Sequence, residues 1–111
     1  MKLPNASRAV IPPDKLRDYL LSRSHPLGRS KAAFFERLGY TESDWAILER
    51  DLRSQHLTLD ARELEPSPFG RKFLISGALV GPTGEGALLV SVWIIRAGEN
   101  SPRFVTAYPG R

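Results

Sequence analysis

The sequence has no cysteine and only two histidines among its 111 residues. Without thiols the chain cannot form disulfide bonds, thiolate metal sites or a cysteine nucleophile. The two imidazole side chains, His25 and His56, are far apart in the sequence and show no metal-ligand spacing. We therefore predict no metal site and no cofactor, and we expect His56 to cap a helix or to lie in solvent.

Long apolar runs are absent as well. No stretch reaches the roughly 18–20 apolar residues that a transmembrane helix requires. The N-terminal segment, MKLPNASRAV, lacks the apolar core of a secretory signal peptide. We therefore expect no membrane association, and cytoplasmic residence is the default prediction.

Two common catalytic motifs are also missing. The glycine-rich segment GPTGEG at 81–86 lacks the lysine and the helix that follow a phosphate-binding loop, so we interpret it as a hairpin turn. No GxSxG motif of a serine nucleophile occurs. These absences leave metal-independent phosphodiester chemistry as the enzymatic hypothesis.

Positive charge is what the chain has in excess, and it is concentrated near the N-terminus. Residues 1–40 hold eight basic and three acidic side chains, whereas residues 41–111 hold eight basic and nine acidic ones. This asymmetry favours an anionic partner, first a nucleic acid and second an acidic protein, although a solvated surface gives the same pattern. The proportions of 41% hydrophobic and 25% charged residues indicate that 1–111 is one globular domain.

Apolar residues at helical spacing predict three short helices in the first half of the chain. The first runs from Pro13 to Leu21, with a buried stripe of Leu16, Tyr19 and Leu20. The second runs from an N-cap at Ser30 to a C′ glycine at Gly39.

The third predicted helix starts at Thr41 and continues to about Gln55. The hydroxyl of Thr41 can cap this helix, and Asp44 at the N3 position approximates a capping box.

From Arg71 onward the hydrophobic period changes to two, which predicts strands. The expected strands are Arg71 to Leu79, Ala87 to Arg96 and Arg103 to Tyr108, and Arg62 to Glu65 can add a short edge strand. Tight turns join the three long strands, so we predict an antiparallel meander whose middle strand is central. The predicted fold class is α+β, with three short helices packed on a sheet of three or four strands.

Cleavage of RNA by its own 2′-hydroxyl requires a base, an acid and a cation for the developing negative charge. His25 exchanges a proton near neutral pH and can act as base or acid. Lys31 and Arg29 can stabilise the phosphorane at the start of the second helix. Thr106 or Tyr108 can bind the phosphate, and Trp93 or Phe104 can stack on a base if the ring points outward.

Each of these residues also has an ordinary structural interpretation. His25 precedes a proline and is a common loop residue, and Lys31 can be a solvated helix charge. Thr106 has good β propensity, and Trp93 lies on the central strand, where a core position is favoured.

Seven segments together resemble one protein family. They are KLRDYLL at 15–21, HPLGRSKAAFF at 25–35, LGY at 38–40, GRKF at 70–73, GPTG at 81–84, VWII at 92–95 and PRFVTAY at 102–108. They resemble an uncharacterised bacterial domain that occurs alone and at the C-terminal tips of polymorphic toxins. The order of helices and sheet is similar to the barnase/EndoU/colicin/RelE superfamily of metal-independent ribonucleases.

That resemblance implies an active site on the open face of the sheet, with residues supplied by the preceding helices. The positions with chemical capacity are His25, Lys31, Trp93, Arg103, Thr106 and Tyr108. Lys15 and Tyr19 also match the motifs, with less obvious roles. The chain departs from several superfamily members because it has no histidine on the sheet.

Two functions follow as hypotheses. The first is a toxin-like ribonuclease with His25, Lys31 and Thr106 as catalytic residues. Arg29, Trp93, Arg103 and Tyr108 would bind the RNA, and an antitoxin or immunity protein would be the partner. The second is a non-catalytic module that binds nucleic acid or neutralises such a toxin.

Overall fold

The computed structural model describes residues 1–26 and 29–110, apart from the side chains of residues 29 and 30. The N-terminal half of the chain forms three short helices, two of which continue into π-helical turns. These are α1 (Pro13–Lys15) with the turn Leu16–Leu20, α2 (Arg29–Arg37), and α3 (Trp45–Asp51) with the turn Leu52–His56.

Helix α2 ends as its sequence predicts. Gly39 has a φ of 101°, a conformation that favours glycine. Its N–H donates to the carbonyl of Glu36 at 2.9 Å, and the N–H of Tyr40 donates to the carbonyl of Phe35 at 3.0 Å. This pair of bonds is a Schellman motif, and it satisfies carbonyls that the helix end would otherwise leave unpaired. The predicted N-cap, Ser30, has a side chain outside the described part.

The predicted cap of the third helix is not formed. The 3₁₀ turn Glu42–Asp44 precedes α3, which begins only at Trp45. The hydroxyl of Thr41 therefore lies one turn too early, and it donates to the carboxylate of Asp44 at 3.3 Å instead of accepting from a backbone N–H.

The C-terminal half forms one four-stranded antiparallel sheet. Its strands lie in the order β1 (Ala61–Glu63), β2 (Gly70–Val80), β3 (Gly86–Arg96) and β4 (Arg103–Pro109). The α+β prediction is confirmed, including the central position of the middle strand and the short edge strand β1.

One face of the sheet packs against the helices. Its core side chains include Phe73, Ile75, Leu79, Leu89, Trp93 and Phe104 from the sheet, and Leu16, Leu20, Phe35, Leu38, Leu48 and Leu52 from the helices. The burial of such apolar surfaces is the main term that stabilises the fold.

Trp93 belongs to this core, so the prediction that it binds substrate is wrong. Its side chain is 0% exposed and packs edge-on against Phe104, with ring centroids 5.2 Å apart. Phe104 is buried as well. An indole on the central strand that points toward the helices cannot stack on a base.

His56 is also fully buried, at 0% exposure, and both of its ring nitrogens contact the sheet, which corrects the expectation that it caps a helix or lies in solvent. The indole N–H of Trp93 donates to Ser91 Oγ at 2.9 Å, and Ser91 Oγ lies 2.8 Å from Nδ1 of His56. Nε2 of His56 lies 3.1 Å from the carbonyl oxygen of Gly77. The polar side-chain atoms of Trp93, Ser91 and His56 all have partners if the Ser91 hydroxyl donates to Nδ1 and Nε2–H donates to the carbonyl of Gly77.

Strand β4 carries a β-bulge. Thr106 pairs with Val92 and Phe104 pairs with Trp93, which leaves Val105 as an extra residue between them. A bulge changes the direction of the side chains next to it. Because β4 is an edge strand, the bulge sets the orientation of the Thr106 side chain at the edge of the sheet.

Candidate active site

Three polar side chains from three separate elements meet beside the bulge of β4. Nζ of Lys31 on α2 lies 2.8 Å from the hydroxyl of Tyr19 and 3.0 Å from Oγ1 of Thr106. The two hydroxyl oxygens lie 3.2 Å apart. We call Tyr19, Lys31 and Thr106 the lysine–hydroxyl cluster.

The hydrogen bonds of the cluster favour negative charge on Tyr19. The ammonium of Lys31 has only donors, so both hydroxyl oxygens accept from it. Burial by itself raises the pKa of Tyr19, but hydrogen bonds from Lys31 and Thr106, with the charges of Lys31 and Lys15, outweigh it and lower the pKa below the ordinary value. The phenol is therefore a stronger acid than a tyrosine in water.

Tyr19 reaches the cluster from the π-helical turn after α1. Leu16 and Leu20 of this turn are buried as the helical spacing predicts. Tyr19 is only half-buried, which leaves its hydroxyl at the rim of the core. The helical spacing predicts a buried ring for Tyr19 and gives its hydroxyl no role. The sequence nevertheless indicates a polar contact, because a phenol in an apolar stripe requires a polar partner for its hydroxyl.

An open groove of about 680 Å³ borders the cluster, and we call it the first groove. His25, Tyr19 and Thr106 all line it. The imidazole of His25 packs edge-on against the ring of Tyr19, with centroids 5.1 Å apart. His25 and Thr106, which are distant in the sequence, therefore share one cleft.

The first groove contains charges of both signs. Lys15 lines it together with Asp14 and Asp18. Arg17 donates to both carboxylate oxygens of Asp18, at 2.9 and 3.0 Å, and these bonds hold the pKa of Asp18 below its ordinary value. Asp18 is thus already paired with a cation.

The family model described as a domain of unknown function (DUF6883) matches residues 2–111. The chain belongs to the DUF6883 family. No match was found among curated proteins. Among solved structures, the DUF6883 domain is similar to a chain of a contact-dependent growth inhibition toxin–immunity protein complex from Klebsiella pneumoniae 342. The TM-score is 0.70 at 21% sequence identity, and the match covers 96% of this chain and 97% of that one. The two chains share a fold.

The structure of the DUF6883 domain brings together the three residues that the sequence analysis names as catalytic candidates. His25, Lys31 and Thr106 all lie at or beside the lysine–hydroxyl cluster. Tyr108 lies on β4 two residues beyond Thr106 and is 38% exposed.

The other predicted binding residues are not part of this group. Arg103 begins β4, and its guanidinium donates to the carboxylate of Glu99 at 3.2 Å. It does not line the first groove. Arg29 is the first residue of α2, and its side chain lies outside the described part.

Within residues 1–26 and 29–110, no three side chains of the histidine, cysteine or acidic types come together in a group that could hold a metal ion. None of the helices in the described ranges is long and apolar enough to cross a membrane.

Proposed function

We propose that this DUF6883 domain is a toxin-like, metal-independent endoribonuclease that is neutralised by an immunity or antitoxin protein. The observation that carries the proposal is the lysine–hydroxyl cluster beside His25. The fold shared with a chain of a growth-inhibition toxin–immunity complex supports the toxin-related setting. That fold alone fits either half of such a pair, and the cluster favours the toxin half.

The proposed reaction is an internal transesterification. The 2′-oxygen of a ribose attacks the adjacent phosphorus while the bond from phosphorus to the 5′-oxygen breaks. The products are a 2′,3′-cyclic phosphate and a free 5′-hydroxyl. A base removes the 2′-proton, an acid protonates the 5′-oxygen, and cations stabilise the phosphorane.

The cluster supplies the cation and the acid. Lys31 is fixed by two hydrogen bonds, and its ammonium is presented to the non-bridging phosphate oxygens with the Thr106 hydroxyl as a second donor. Tyr19 acts as the acid, because its lowered pKa strengthens it as a donor and the hydrogen bonds of the cluster stabilise the phenolate that it leaves.

His25 supplies the base. It lines the same groove as Tyr19 and packs against its ring, so one phosphate above the cluster lies within reach of both side chains. A neutral imidazole accepts the 2′-proton, and the phenol returns a proton on the other side of the phosphorus. The proton balance of the step is then closed, and no metal ion takes part in it.

The experiment is cleavage of a defined RNA by the purified protein in the presence of EDTA. The wild type is expected to cleave the RNA and leave a 2′,3′-cyclic phosphate, and a 2′-deoxy substitution at the cleaved position is expected to block the reaction. Lys31→Met is expected to lower the rate by about 10²-fold or more, since it removes the charge that faces the phosphate. Arg62→Met on β1, the opposite edge of the sheet, is the matched control and is expected to retain full activity.

The second candidate function, a non-catalytic binding module, predicts a different set of results. It is favoured if the folded wild type leaves RNA intact and does not arrest growth on induced expression in a bacterium. Full activity of folded Lys31→Met and His25→Ala variants would instead show that the cleavage site lies elsewhere.

A further inference from the structure

A second groove, of about 500 Å³, lies between α2 and the ends of strands β3 and β4. Its lining includes Phe34, Arg37, Leu88 and Pro109. Trp93, Arg103 and Tyr108, which the sequence predicts to bind substrate, are not among the described residues that line it.

The second groove shares two structural elements, α2 and β4, with the lysine–hydroxyl cluster. Phe34 follows Lys31 by three residues on α2, so their side chains are neighbours on one helix face, separated by a rise of roughly 4.5 Å. Pro109 follows Thr106 by three residues on β4, a distance of roughly 10 Å along the strand. Two of the three elements that supply the cluster, α2 and β4, therefore also line the second groove, and Lys31 and Phe34 are neighbours on α2.

The lining of the second groove combines an aromatic ring, an apolar floor and a cation. Phe34 is half-buried, and the guanidinium carbon of Arg37 lies 5.7 Å from its ring centroid. Leu88 is 39% exposed although it is apolar. The described residues of this lining include no carboxylate, whereas Asp14 and Asp18 line the first groove. The charge of the second groove therefore suits an anionic occupant.

We propose that the second groove binds the nucleotide next to the cleaved phosphate of a single-stranded RNA. The base packs against Phe34 and Leu88, and Arg37 contacts the flanking phosphate. Aromatic side chains beside a cation are the usual means of holding an unpaired nucleotide without strict sequence preference. This inference rests on the proposed ribonuclease function and deepens it, because it specifies that the substrate is unpaired on this side of the cleaved bond.

The test measures binding of a fluorescent, fully 2′-O-methylated RNA decamer, which cannot be cleaved, by anisotropy. Phe34→Leu keeps apolar volume but removes the ring, and it is expected to weaken binding by about 5- to 100-fold. Arg37→Gln is expected to weaken binding and to reduce the slope of log affinity against log salt by about one. Arg62→Gln on β1 is the control and is expected to leave both quantities unchanged.

Cleavage rates separate this inference from the function on which it rests. If the wild type cleaves RNA and both groove variants bind and cleave as it does, the second groove is not a nucleotide site and the ribonuclease proposal stands. If the folded wild type neither cleaves nor binds RNA, the proposed function fails and the inference fails with it. Loss of binding to a neutralising protein, with RNA affinity unchanged, would assign the groove to a protein partner and overturn the inference. Because Arg37 is exposed, its variant remains informative even if Phe34→Leu lowers the thermal stability.

Discussion

Nζ of Lys31 and Oγ1 of Thr106 lie 3.0 Å apart although 75 positions separate the two residues in the sequence. Lys31 projects from α2, and Thr106 follows the bulge of β4. Their contact therefore depends both on how α2 packs against the sheet and on the register of the last two strands. The proposed chemistry therefore depends on the tertiary fold through this pair.

Replacing Tyr19 by phenylalanine tests the proposed acid. The ring that packs against His25 is kept, so the fold should persist, while the proton donor is removed. The rate of RNA cleavage is expected to fall by about 10²- to 10⁴-fold, the usual contribution of a general acid.

The pH profile of the same Tyr19→Phe variant separates catalysis from packing. In the wild type the rate should fall at alkaline pH as Tyr19, whose pKa is lowered, loses its proton. The variant is expected to lose this alkaline fall. An alkaline limb that persists in Tyr19→Phe would assign the acid to another group.

Thr106→Val tests the hydroxyl on the sheet. Valine has nearly the same shape and suits a strand, but it cannot accept from Lys31 or donate to a phosphate. We expect cleavage to slow by about 10²-fold, with little change in the denaturation midpoint, and we expect Thr106→Ser to restore most of the rate. Equal rates for the valine and serine variants would mean that the hydroxyl takes no part in cleavage.

Ser91→Ala tests the buried polar chain between Trp93 and His56. The change leaves the indole N–H and Nδ1 of His56 without the oxygen that serves both. A loss of about 1–3 kcal/mol in the free energy of unfolding is expected, measured by urea denaturation. Ser76→Ala at an exposed position of β2 is the control and should change stability little. A similar effect of both variants would contradict the role assigned to the chain.

The buried His56 predicts a loss of stability in mild acid. Burial lowers its pKa, and the hydrogen bond with Gly77 only partly opposes this. The unfolded chain, with the ordinary pKa of 6.5, binds more protons than the folded one as the pH falls below that value. The free energy of unfolding should therefore have its full value above pH 6.5 and decrease as the pH falls below 6.5. The decrease due to His56 should end once the pH is below the lowered pKa of the folded state.

A variant of His56 tests whether this residue causes the acid effect. Urea denaturation at pH 7.5 and at pH 5 should show a smaller difference in the free energy of unfolding for His56→Gln than for the wild type. A wild-type difference that persists undiminished in His56→Gln would mean that other groups cause the loss.

Gly39 at the end of α2 and Gly84 in the turn between β2 and β3 provide a matched pair of glycine variants. Gly39 and Gly84 both have positive φ, at 101° and 85°, so alanine is strained at either position. At Gly39 an added Cβ would also lie 2.9 Å from the backbone nitrogen of Thr83, whereas nothing lies within 4 Å at Gly84. Gly84→Ala should therefore cost about 1–2 kcal/mol and Gly39→Ala clearly more. Equal losses in thermal denaturation would show that the contact with Thr83 relaxes freely.

The fold class was predictable because its signals are local. Alternation of apolar residues and turn formers placed the long strands to within a residue or two, and Gly39 marked the end of α2. The π-helical turns and the missing cap at Thr41 were not predicted. They depend on the tertiary contacts of the helix ends, which cannot be predicted from hydrophobic spacing.

The residues of the candidate site could be named from the sequence, but their arrangement in space could not. His25, Lys31 and Thr106 were selected as residue types that exchange protons or bind phosphate, and nothing in their spacing shows that they converge. Tyr19 was assigned to the core stripe because helical spacing does not distinguish a buried ring from one at the rim. Trp93 was named as a binding residue because an indole can stack on a base, although its position on the central strand already favoured the core.

The long sequence separation between Lys31 and Thr106 also determines when the cluster can exist. During synthesis Tyr19 and Lys31 emerge from the ribosome well before the last strand, and a chain that still lacks β4 holds only two of the three side chains. Under the proposed function, an unfinished or prematurely terminated chain would be harmless to the cell that makes it. Each molecule would become active only when β4 joins the sheet and brings Thr106 to the other two side chains.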